Sequence, residues 1–217
     1  MYKTVVFDLD GTLLNTLTDL ADAGNRLCRK YGWPTHERQA YRYFVGNGIP
    51  KLVERLAPAD QRTPAVLEAA LADFKRDYGQ RLRDTTAPYP GIPEMLAKLK
   101  ANGVQLAVFS NKADALAKEV VKDYFGTQYF TIVRGQMTGV APKPAAEGTN
   151  ALLQALHADP ASTLYVGDSN VDVETAHNAN LPCCGAVWGF RTREELNAAG
   201  AEYLAENSDE LYDVIMK

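Results

Sequence analysis

Two carboxylates lie close together near the start of the chain, where they could carry out nucleophilic or acid–base chemistry. Asp8 and Asp10 directly follow the apolar run of residues 4–7, and Gly11 behind them permits a sharp turn. One aspartate can attack an electrophile while a second moves the protons that the reaction requires. An Asp-Gly turn after an ordinary strand has the same appearance. The pair alone therefore leaves both interpretations open.

Polar groups also follow two later segments of the chain. Ser110 and Asn111 come directly after the apolar run of residues 104–109, where a hydroxyl and backbone N–H groups could hold an anionic oxygen. Ser110 could equally be the N-cap of the next helix. Further along, Lys143 stands between Pro142 and Pro144, which restrict the backbone and could direct its ammonium inward. A solvated surface lysine is the alternative for that position.

A second pair of carboxylates follows another apolar run. Asp168 and Asp172 are four residues apart, after residues 163–166 and across a turn into a helix. Magnesium prefers oxygen ligands and commonly uses one or two carboxylates together with water and substrate phosphate. Asp168 is the better candidate for a direct ligand. Asp172 is a candidate for the shell around the metal, or alternatively a charge favoured by the helix dipole.

The elements around these residues predict one sheet that brings them together. Buried parallel strands are expected at residues 4–7, 104–109, 129–133, 163–166 and 183–187, because these runs are apolar on both faces. Helical periodicity appears between the later runs and near the end of the chain. Alternating strands and helices indicate an α/β fold with a doubly wound, Rossmann-like parallel sheet. Ligands bind beyond the carboxyl ends of such strands, which is where the candidate residues lie.

The alternation stops between the first and second strands. Residues 16–86 contain helical patterns and no strand run, which predicts a small all-helical domain inserted into a core of residues 1–15 and 87–217. The aromatics Trp33, Tyr41, Tyr43 and Phe44 are expected to form part of the core of this insertion. The segment Gly46, Asn47 and Gly48 could bring backbone donors to a substrate, or could simply be a turn between helices. Arg42 and Lys51 flank this segment and could pair with a substrate carboxylate, although solvated surface positions suit them better.

Composition excludes several classes of function. The net charge of −4, without a block of lysine and arginine, gives no electrostatic footprint for nucleic acid. No apolar run approaches the roughly 20 residues of a membrane span, and no signal pattern is evident, so we expect a cytoplasmic protein without a membrane partner. Three cysteines without C-x-x-C spacing indicate neither a disulfide framework nor a zinc site.

Taken together, the four groups of residues resemble the haloacid dehalogenase superfamily. Its four motifs are matched in order by Asp8-Leu9-Asp10-Gly11-Thr12, Ser110, Lys143 and Gly167-Asp168-x-x-x-Asp172, and they organise essentially the whole chain. The helical insertion is similar to the cap that closes over the site in that family. Dehalogenases and phosphonoacetaldehyde hydrolases of the family lack the second aspartate of the first motif. The presence of Asp10 therefore disfavours cleavage of carbon–halogen and carbon–phosphorus bonds.

The resemblance implies a role for each matched residue. Asp8 would attack phosphorus, and Asp10 would act as acid and base. Magnesium would be bound by Asp8, the Asp10 carbonyl and Asp168, with Asp172 nearby. The groups implied to hold phosphate or substrate are Leu9, Asp10, Thr12, Ser110, Asn111 and Lys143 in the core, and Gly46, Asn47 and Gly48 in the cap.

Within the superfamily, the chain looks most like the phosphoglycolate phosphatase branch. The similarity rests on Tyr89-Pro90-Gly91, on residues 45–48, on the prolines around Lys143 and on residues 185–189. It implies a phosphate-monoester hydrolase acting on a small phosphorylated metabolite, with phosphoglycolate as the leading candidate, in a monomer or small homo-oligomer. A sugar phosphomutase similar to β-phosphoglucomutase and an inorganic pyrophosphatase are the alternatives. A non-catalytic binding protein is disfavoured because Asp8, Asp10 and Asp168 are all present.

Overall fold

The computed structural model describes residues 1–217, and the chain divides into two compact units. The core unit consists of Met1–Leu14 and Pro88–Lys217, and the inserted unit consists of Asn15–Ala87. The boundaries expected from the sequence, after residues 15 and 86, each differ from these by one residue. Both crossings occur in two-residue strands that pair with each other.

The core unit is built on a six-stranded parallel sheet. The strands of the chain are β1 (Thr4–Phe7), β2 (Leu14–Asn15), β3 (Ala87–Pro88), β4 (Gln105–Ala113), β5 (Phe130–Gln136), β6 (Thr163–Gly167), β7 (Cys183–Ala186) and β8 (Tyr203–Ala205). The large sheet has the order β5-β4-β1-β6-β7-β8, and β2 and β3 form the short ribbon. Counted within the core alone, this order is 3-2-1-4-5-6, which is that of a doubly wound Rossmann-like fold. The predicted fold class is confirmed.

Ten α-helices accompany these strands. The inserted unit contains α1 (Leu17–Tyr31), α2 (Tyr41–Phe44), α3 (Ile49–Leu56) and α4 (Pro64–Arg81), and the core unit contains α5 (Ile92–Ala101), α6 (Asp114–Phe125), α7 (Ala146–Leu156), α8 (Asn170–Asn178), α9 (Arg193–Ala199) and α10 (Ser208–Met216). Short 3₁₀ helices lie at Arg38–Ala40, Ala59–Gln61 and Pro160–Ser162. None of the helices combines the length and the apolar character that crossing a membrane would require.

The position of β1 in the middle of the sheet determines where the candidate site can form. Phe7 lies in register with Val108 of β4 on one side and Val166 of β6 on the other. All three side chains are buried, as expected for central strands covered on both faces. The residues that follow β1, β4 and β6 therefore emerge at the same edge of the sheet.

An apolar cluster packs α7, α8 and α9 against the central strands of the sheet. Its buried members include Val6, Ala107, Phe109, Leu152, Leu156, Tyr165, Val173, Ala176, Leu181 and Leu196. Burying each of the larger side chains contributes about 1.5–3 kcal/mol. All three cysteines are buried and none forms a disulfide.

Two details of the core strands differ from the expectation. The strand expected to end at Phe109 continues to Ala113, with an irregularity in its register against β5 between these two residues. β8 was not predicted, because three residues at the edge of the sheet carry no readable periodicity. The other predicted strands are confirmed to within one to three residues at their ends.

The inserted unit is helical, as the sequence predicts, but one of its expected core residues is exposed. On α4, Ala70, Phe74 and Tyr78 are buried, whereas Leu67 and Leu71 are only partly covered. The expected role of Tyr43 in the core of this unit is wrong, because 52% of that residue is exposed. Four residues form α2, and the preceding residues form a 3₁₀ turn, so consecutive aromatics in this segment point in different directions.

Candidate active site

Asp8 lies directly after β1, at the centre of the carboxyl edge of the sheet. Its backbone N–H donates to the Val166 carbonyl (2.8 Å), which continues the pairing between β1 and β6. The carboxylate is buried, and its Oδ1 lies 2.9 Å from Lys143 Nζ. Burial raises the pKa of Asp8 to about 7, although the ammonium of Lys143 acts in the opposite direction. In the absence of a further cation, the ionised form of Asp8 is therefore costly to maintain.

Lys143 is a buried cation and not a surface residue. Its Nζ lies 2.7 Å from Asp172 Oδ1 and donates to the Tyr165 hydroxyl (3.2 Å), in addition to its contact with Asp8. Burial alone would lower the pKa of Lys143, but the carboxylates of Asp172 and Asp8 raise it well above its ordinary value. The ammonium is therefore charged. The surface alternative for this residue is wrong.

Asn111 fixes the backbone that carries this lysine. Its Oδ1 accepts from the Lys143 N–H (2.8 Å), and its Nδ2 donates to the Lys143 carbonyl (3.3 Å). Asn111 is buried in the extended end of β4. A side-chain amide can mimic a strand partner in this way, since it offers one donor and one acceptor. The Asn111 side chain thereby connects two predicted motifs through hydrogen bonds to the Lys143 backbone.

Asp168 emerges from β6 next to Asp8 and is held from several directions. Its Oδ1 accepts from the Thr12 hydroxyl (3.0 Å), and its Oδ2 accepts from the Phe190 N–H (2.7 Å). A Cβ added to Gly11 would lie 2.3 Å from Asp168 Oδ2, and one added to Gly189 would lie 2.2 Å from Asp168 Cβ. Both positions therefore require glycine. Burial, followed by the charges of Asp172 and Asp8, raises the pKa of Asp168 well above its usual range.

Asp172 forms the start of α8 as well as part of this cluster. Its Oδ2 accepts from the Asp168 N–H (3.2 Å), the Ser169 N–H (3.1 Å) and the Ser169 hydroxyl (2.7 Å), which makes a capping box with Ser169. Its Oδ1 accepts from Lys143. Both oxygens therefore already have protein partners. Asp172 is therefore both a negative charge at the start of a helix and a member of the carboxylate cluster.

Three carboxylates converge at this edge of the sheet in a way that suits a cation. Asp8, Asp168 and Asp172 each offer an oxygen, and these oxygens lie within 4.8 Å of one another. All three residues are buried, and Lys143 supplies one positive charge against their three negative ones. A purely oxygen donor set with excess negative charge fits a hard divalent cation. Burial, together with the charges of the neighbouring carboxylates, raises the pKa values of Asp8 and Asp168.

The Asp10 carboxylate has a separate cationic partner that the sequence reasoning did not identify. Lys112 Nζ lies 3.0 Å from Asp10 Oδ1 and 3.3 Å from Asp10 Oδ2. The Lys112 side chain is 3% exposed and the Asp10 side chain 20% exposed. Lys112 directly follows Ser110 and Asn111 in the sequence. Its position two residues beyond Ser110 in an extended segment, where alternate side chains share a face, was the available signal.

The loop after Asp10 is fixed from the other side of the site. The Thr12, Leu13 and Leu14 N–H groups turn back towards the Leu9 carbonyl, and the distances to it are 3.4, 3.0 and 3.0 Å. The Trp188 indole N–H donates to the Thr12 carbonyl (3.0 Å). The Trp188 indole therefore anchors the loop that carries the first motif.

Ser110 lies in β4 and does not begin a helix. It is buried, and its Oγ accepts from the Lys112 N–H (3.3 Å). The N-cap of α6 is Ala113, so the alternative interpretation of Ser110 as a helix cap is wrong. The hydroxyl is instead placed on the extended end of a strand adjacent to β1.

The predicted cap segment has a well-defined structure within the inserted unit. Gly46 and Gly48 have φ values of 106° and 83°, and the Asn47 side chain accepts from Arg55 Nη2 (2.8 Å). Lys51 is exposed and paired with Glu54 (2.8 Å), as a solvated surface charge would be. Glycine is thus required here for backbone geometry, whatever else the segment contacts.

Comparisons with known proteins agree with this arrangement. The model of a family described as haloacid dehalogenase-like hydrolase matches residues 5–186. The phosphoglycolate phosphatase of Chromobacterium violaceum is 31% identical over 98% of this chain and 96% of the relative. That of Vibrio parahaemolyticus is 28% identical over the same shares. The crystal structure of a predicted phosphoglycolate phosphatase from Haemophilus somnus 129pt has a TM-score of 0.89 and 25% identity, with 98% of this chain and 97% of that chain covered.

Proposed function

The chain belongs to the haloacid dehalogenase-like hydrolase family and is a phosphatase, and we propose that it hydrolyses small phosphate monoesters through a phosphoryl-aspartate on Asp8. The observation that carries this proposal is the buried cluster of Asp8, Asp168 and Asp172 around Lys143 at the centre of the sheet edge. A buried carboxylate beside an ammonium is suited to attack a phosphoryl group whose oxygens need positive charge.

In the first step, an Asp8 carboxylate oxygen forms a bond to phosphorus as the bond from phosphorus to the ester oxygen breaks. Asp10 gives a proton to the departing alkoxide. In the second step, Asp10 takes a proton from water, whose oxygen attacks the phosphoryl-aspartate and releases phosphate and the Asp8 carboxylate. Asp10 suits this role because its side chain is 20% exposed and can meet water, whereas the Asp8 side chain is 10% exposed.

A divalent cation, which we propose to be Mg²⁺, would complete the charge balance of this site. The Asp8 and Asp168 carboxylates and the Asp10 carbonyl would hold it, with Asp172 fixing Lys143 and the start of α8 behind them. When bound, the cation supplies positive charge that lowers repulsion between an anionic nucleophile and an anionic phosphate. Thr12 and the Phe190 N–H keep Asp168 in one orientation for this purpose.

The chain offers several donors for the transferred phosphoryl group. We assign its oxygens to the Ser110 hydroxyl, the Lys143 ammonium and the backbone N–H groups of Leu9 and Asp10, with Thr12 and Asn111 supporting them. Ser110 and Lys143 are both buried next to the end of β1, so they need no large rearrangement to act. Preorganised donors of this kind stabilise the charge that develops in the transition state.

Phosphoglycolate is the substrate that we propose first. The support is the relatedness to phosphoglycolate phosphatases over nearly the whole chain, including one relative at 31% identity. Residues 46–48 are proposed to contact the substrate from the inserted unit. We further propose a cytoplasmic enzyme that acts as a monomer or small homo-oligomer without nucleic acid or a membrane as partner, in keeping with its net charge of −4.

Phosphate release from a panel of phosphorylated metabolites tests the proposal. The panel should include phosphoglycolate, a sugar 1-phosphate and pyrophosphate, each with Mg²⁺ and with chelator. We expect Asp8→Asn to reduce release on the order of 10⁴-fold or more, as loss of a nucleophile does elsewhere. The exposed Asp22→Asn variant should keep full activity. Isomerised sugar phosphate without free phosphate would indicate a mutase, and full turnover in chelator or by Asp8→Asn would refute the mechanism.

A further inference from the structure

The core unit buries a second ammonium that the proposed catalytic steps do not use. Lys112 belongs to β4, and only 3% of its side chain is exposed. A buried charge of this kind is costly unless it is paired. Lys112 Nζ meets that requirement by contacting both carboxylate oxygens of Asp10, at 3.0 and 3.3 Å.

The local backbone holds Lys112 at the edge of the catalytic cluster. β4 continues past Phe109 to Ala113, and the change of register against β5 falls between these two residues. The Lys112 N–H donates to the Ser110 hydroxyl (3.3 Å), which ties the lysine to a group assigned to phosphate binding. Lys112 therefore has a fixed position in the ligand-free protein, and its ammonium is directed towards the first motif.

The two buried lysines serve different sides of the site. Lys143 contacts Asp8 and Asp172, so its charge lies beside the attacking oxygen. Lys112 contacts Asp10, which in the proposed mechanism protonates the leaving group. The Lys112 ammonium is thus one hydrogen bond away from the residue that touches the ester oxygen. An anionic substituent close to that oxygen would come within reach of Lys112.

We propose that Lys112 determines specificity by binding a carboxylate of the leaving group, so that the enzyme selects phosphate esters of short hydroxy acids. This inference rests on the proposed function. Lys112 Nζ contacts both Asp10 oxygens, so a carboxylate beside the ester oxygen would share this ammonium with Asp10. In phosphoglycolate a single methylene separates the ester oxygen from the carboxylate. The Asp10 side chain is 20% exposed, so such a group can reach it from solvent.

The decisive comparison is between phosphoglycolate and ethyl phosphate, in which a methyl group replaces the carboxylate. Lys112→Gln should lower kcat/KM for phosphoglycolate about 10- to 100-fold more than for ethyl phosphate, the usual effect of losing a charged hydrogen bond. Any loss through mispositioning of Asp10 acts on both substrates and cancels in the ratio. The control is Lys118→Gln, which removes an exposed lysine paired with Asp114 and should leave the ratio unchanged.

A binding measurement separates this inference from the proposed function. Asp8→Asn, which keeps Lys112, should bind phosphoglycolate at least tenfold more tightly than ethyl phosphate in calorimetry, and Asp8→Asn/Lys112→Gln should lose that preference. If Lys112→Gln does not fold, Lys112→Met, which keeps the length of the side chain without its charge, replaces it in both measurements. Equal losses on both substrates, or no preference in binding, would overturn the assignment of Lys112. Absence of phosphate release from every ester, with the binding preference intact, would refute only the phosphatase mechanism.

Discussion

Replacing Asp8, the proposed nucleophile, with Asn should make the metal-free protein more stable. Asp8 lies in a buried cluster with Asp168 and Asp172, where Lys143 is the cation in contact. Asn at this position keeps the size of the side chain and an oxygen that can accept from Lys143, but it removes one negative charge. Lys143 also retains its partner Asp172. Asp8→Asn, which we expect to abolish activity, should therefore relieve repulsion in the folded state.

The pKa of Asp8 sets the size and the pH dependence of this effect. Burial raises the pKa from 3.8 to about 7, so the folded state binds a proton more tightly than the unfolded state does. The contribution of Asp8 to stability is then most favourable below pH 3.8 and falls as pH rises to about 7. At 1.36 kcal/mol per pH unit, the full difference corresponds to roughly 4 kcal/mol above pH 7 and roughly 1.5 kcal/mol at pH 5. These figures are upper bounds on the gain, because Asn still buries a polar group.

Thermal unfolding in chelator at pH 5, 6, 7 and 8 measures the effect. If about half of the upper bound is recovered, Asp8→Asn should raise Tm by roughly 4–8 °C at pH 7–8 and by much less at pH 5. Asp22→Asn, which removes an exposed carboxylate, should change Tm little at any pH. Adding Mg²⁺ should raise Tm more for the wild type than for Asp8→Asn, because the wild type keeps all the proposed ligands.

A lower Tm for Asp8→Asn in chelator at pH 8 would refute this reasoning. It would mean that the ion pair between Asp8 and Lys143 outweighs the burial of excess negative charge. A pH-independent gain would show that Asp8 does not carry the raised pKa. Identical effects of Mg²⁺ on both proteins would remove Asp8 from the metal site.

Three further outcomes follow from other parts of the molecule. Asp10→Ala should slow hydrolysis of an alkyl phosphate by roughly 10²–10⁴-fold but that of nitrophenyl phosphate far less. Phosphorylated protein should be detected by intact mass after rapid quenching. Equal losses on both substrates without this adduct would contradict the acid/base role. Asp19→Ala should destabilise the inserted unit by about 3 kcal/mol in urea unfolding. The reason is that the buried Asp19 carboxylate accepts hydrogen bonds from the Thr86 N–H (2.9 Å) and hydroxyl (2.7 Å). An unchanged urea midpoint would argue against a stabilising role of these hydrogen bonds. Hydrogen bonding from Lys30 lowers the pKa of Asp73 to about 2, so the stabilising contribution of Asp73 is present above pH 3.8 and is lost as pH falls towards 2. The Tm difference between wild type and Asp73→Asn should therefore narrow over that range. A constant difference would exclude ionisation of Asp73 as the source of the Tm difference.

The fold and the main residues of the site could be predicted from the sequence because both depend on local features. Buried strands alternate with helices in a pattern that a sequence displays directly, and the polar residues follow those strands at once. Asp8, Ser110 and Asp168 are therefore brought to one edge by topology alone, without knowledge of any side-chain contact. The edge strand β8 was missed because three residues carry no periodicity.

The contacts within the site depended on tertiary structure. Lys112 and Asp10 are 102 residues apart, and Thr12 and Asp168 are 156 residues apart, so no local pattern indicates either pairing. The sequence also left Ser110 open as a helix cap and Lys143 open as a surface residue. Packing decided both, because extending β4 to Ala113 buries the hydroxyl and because Asn111 holds Lys143 against the carboxylates. The sequence by itself determined which chemical groups stand at the ends of the strands. The three-dimensional packing decided which charge faces which, since electrostatic pairing depends on distances that are set only when remote strands meet.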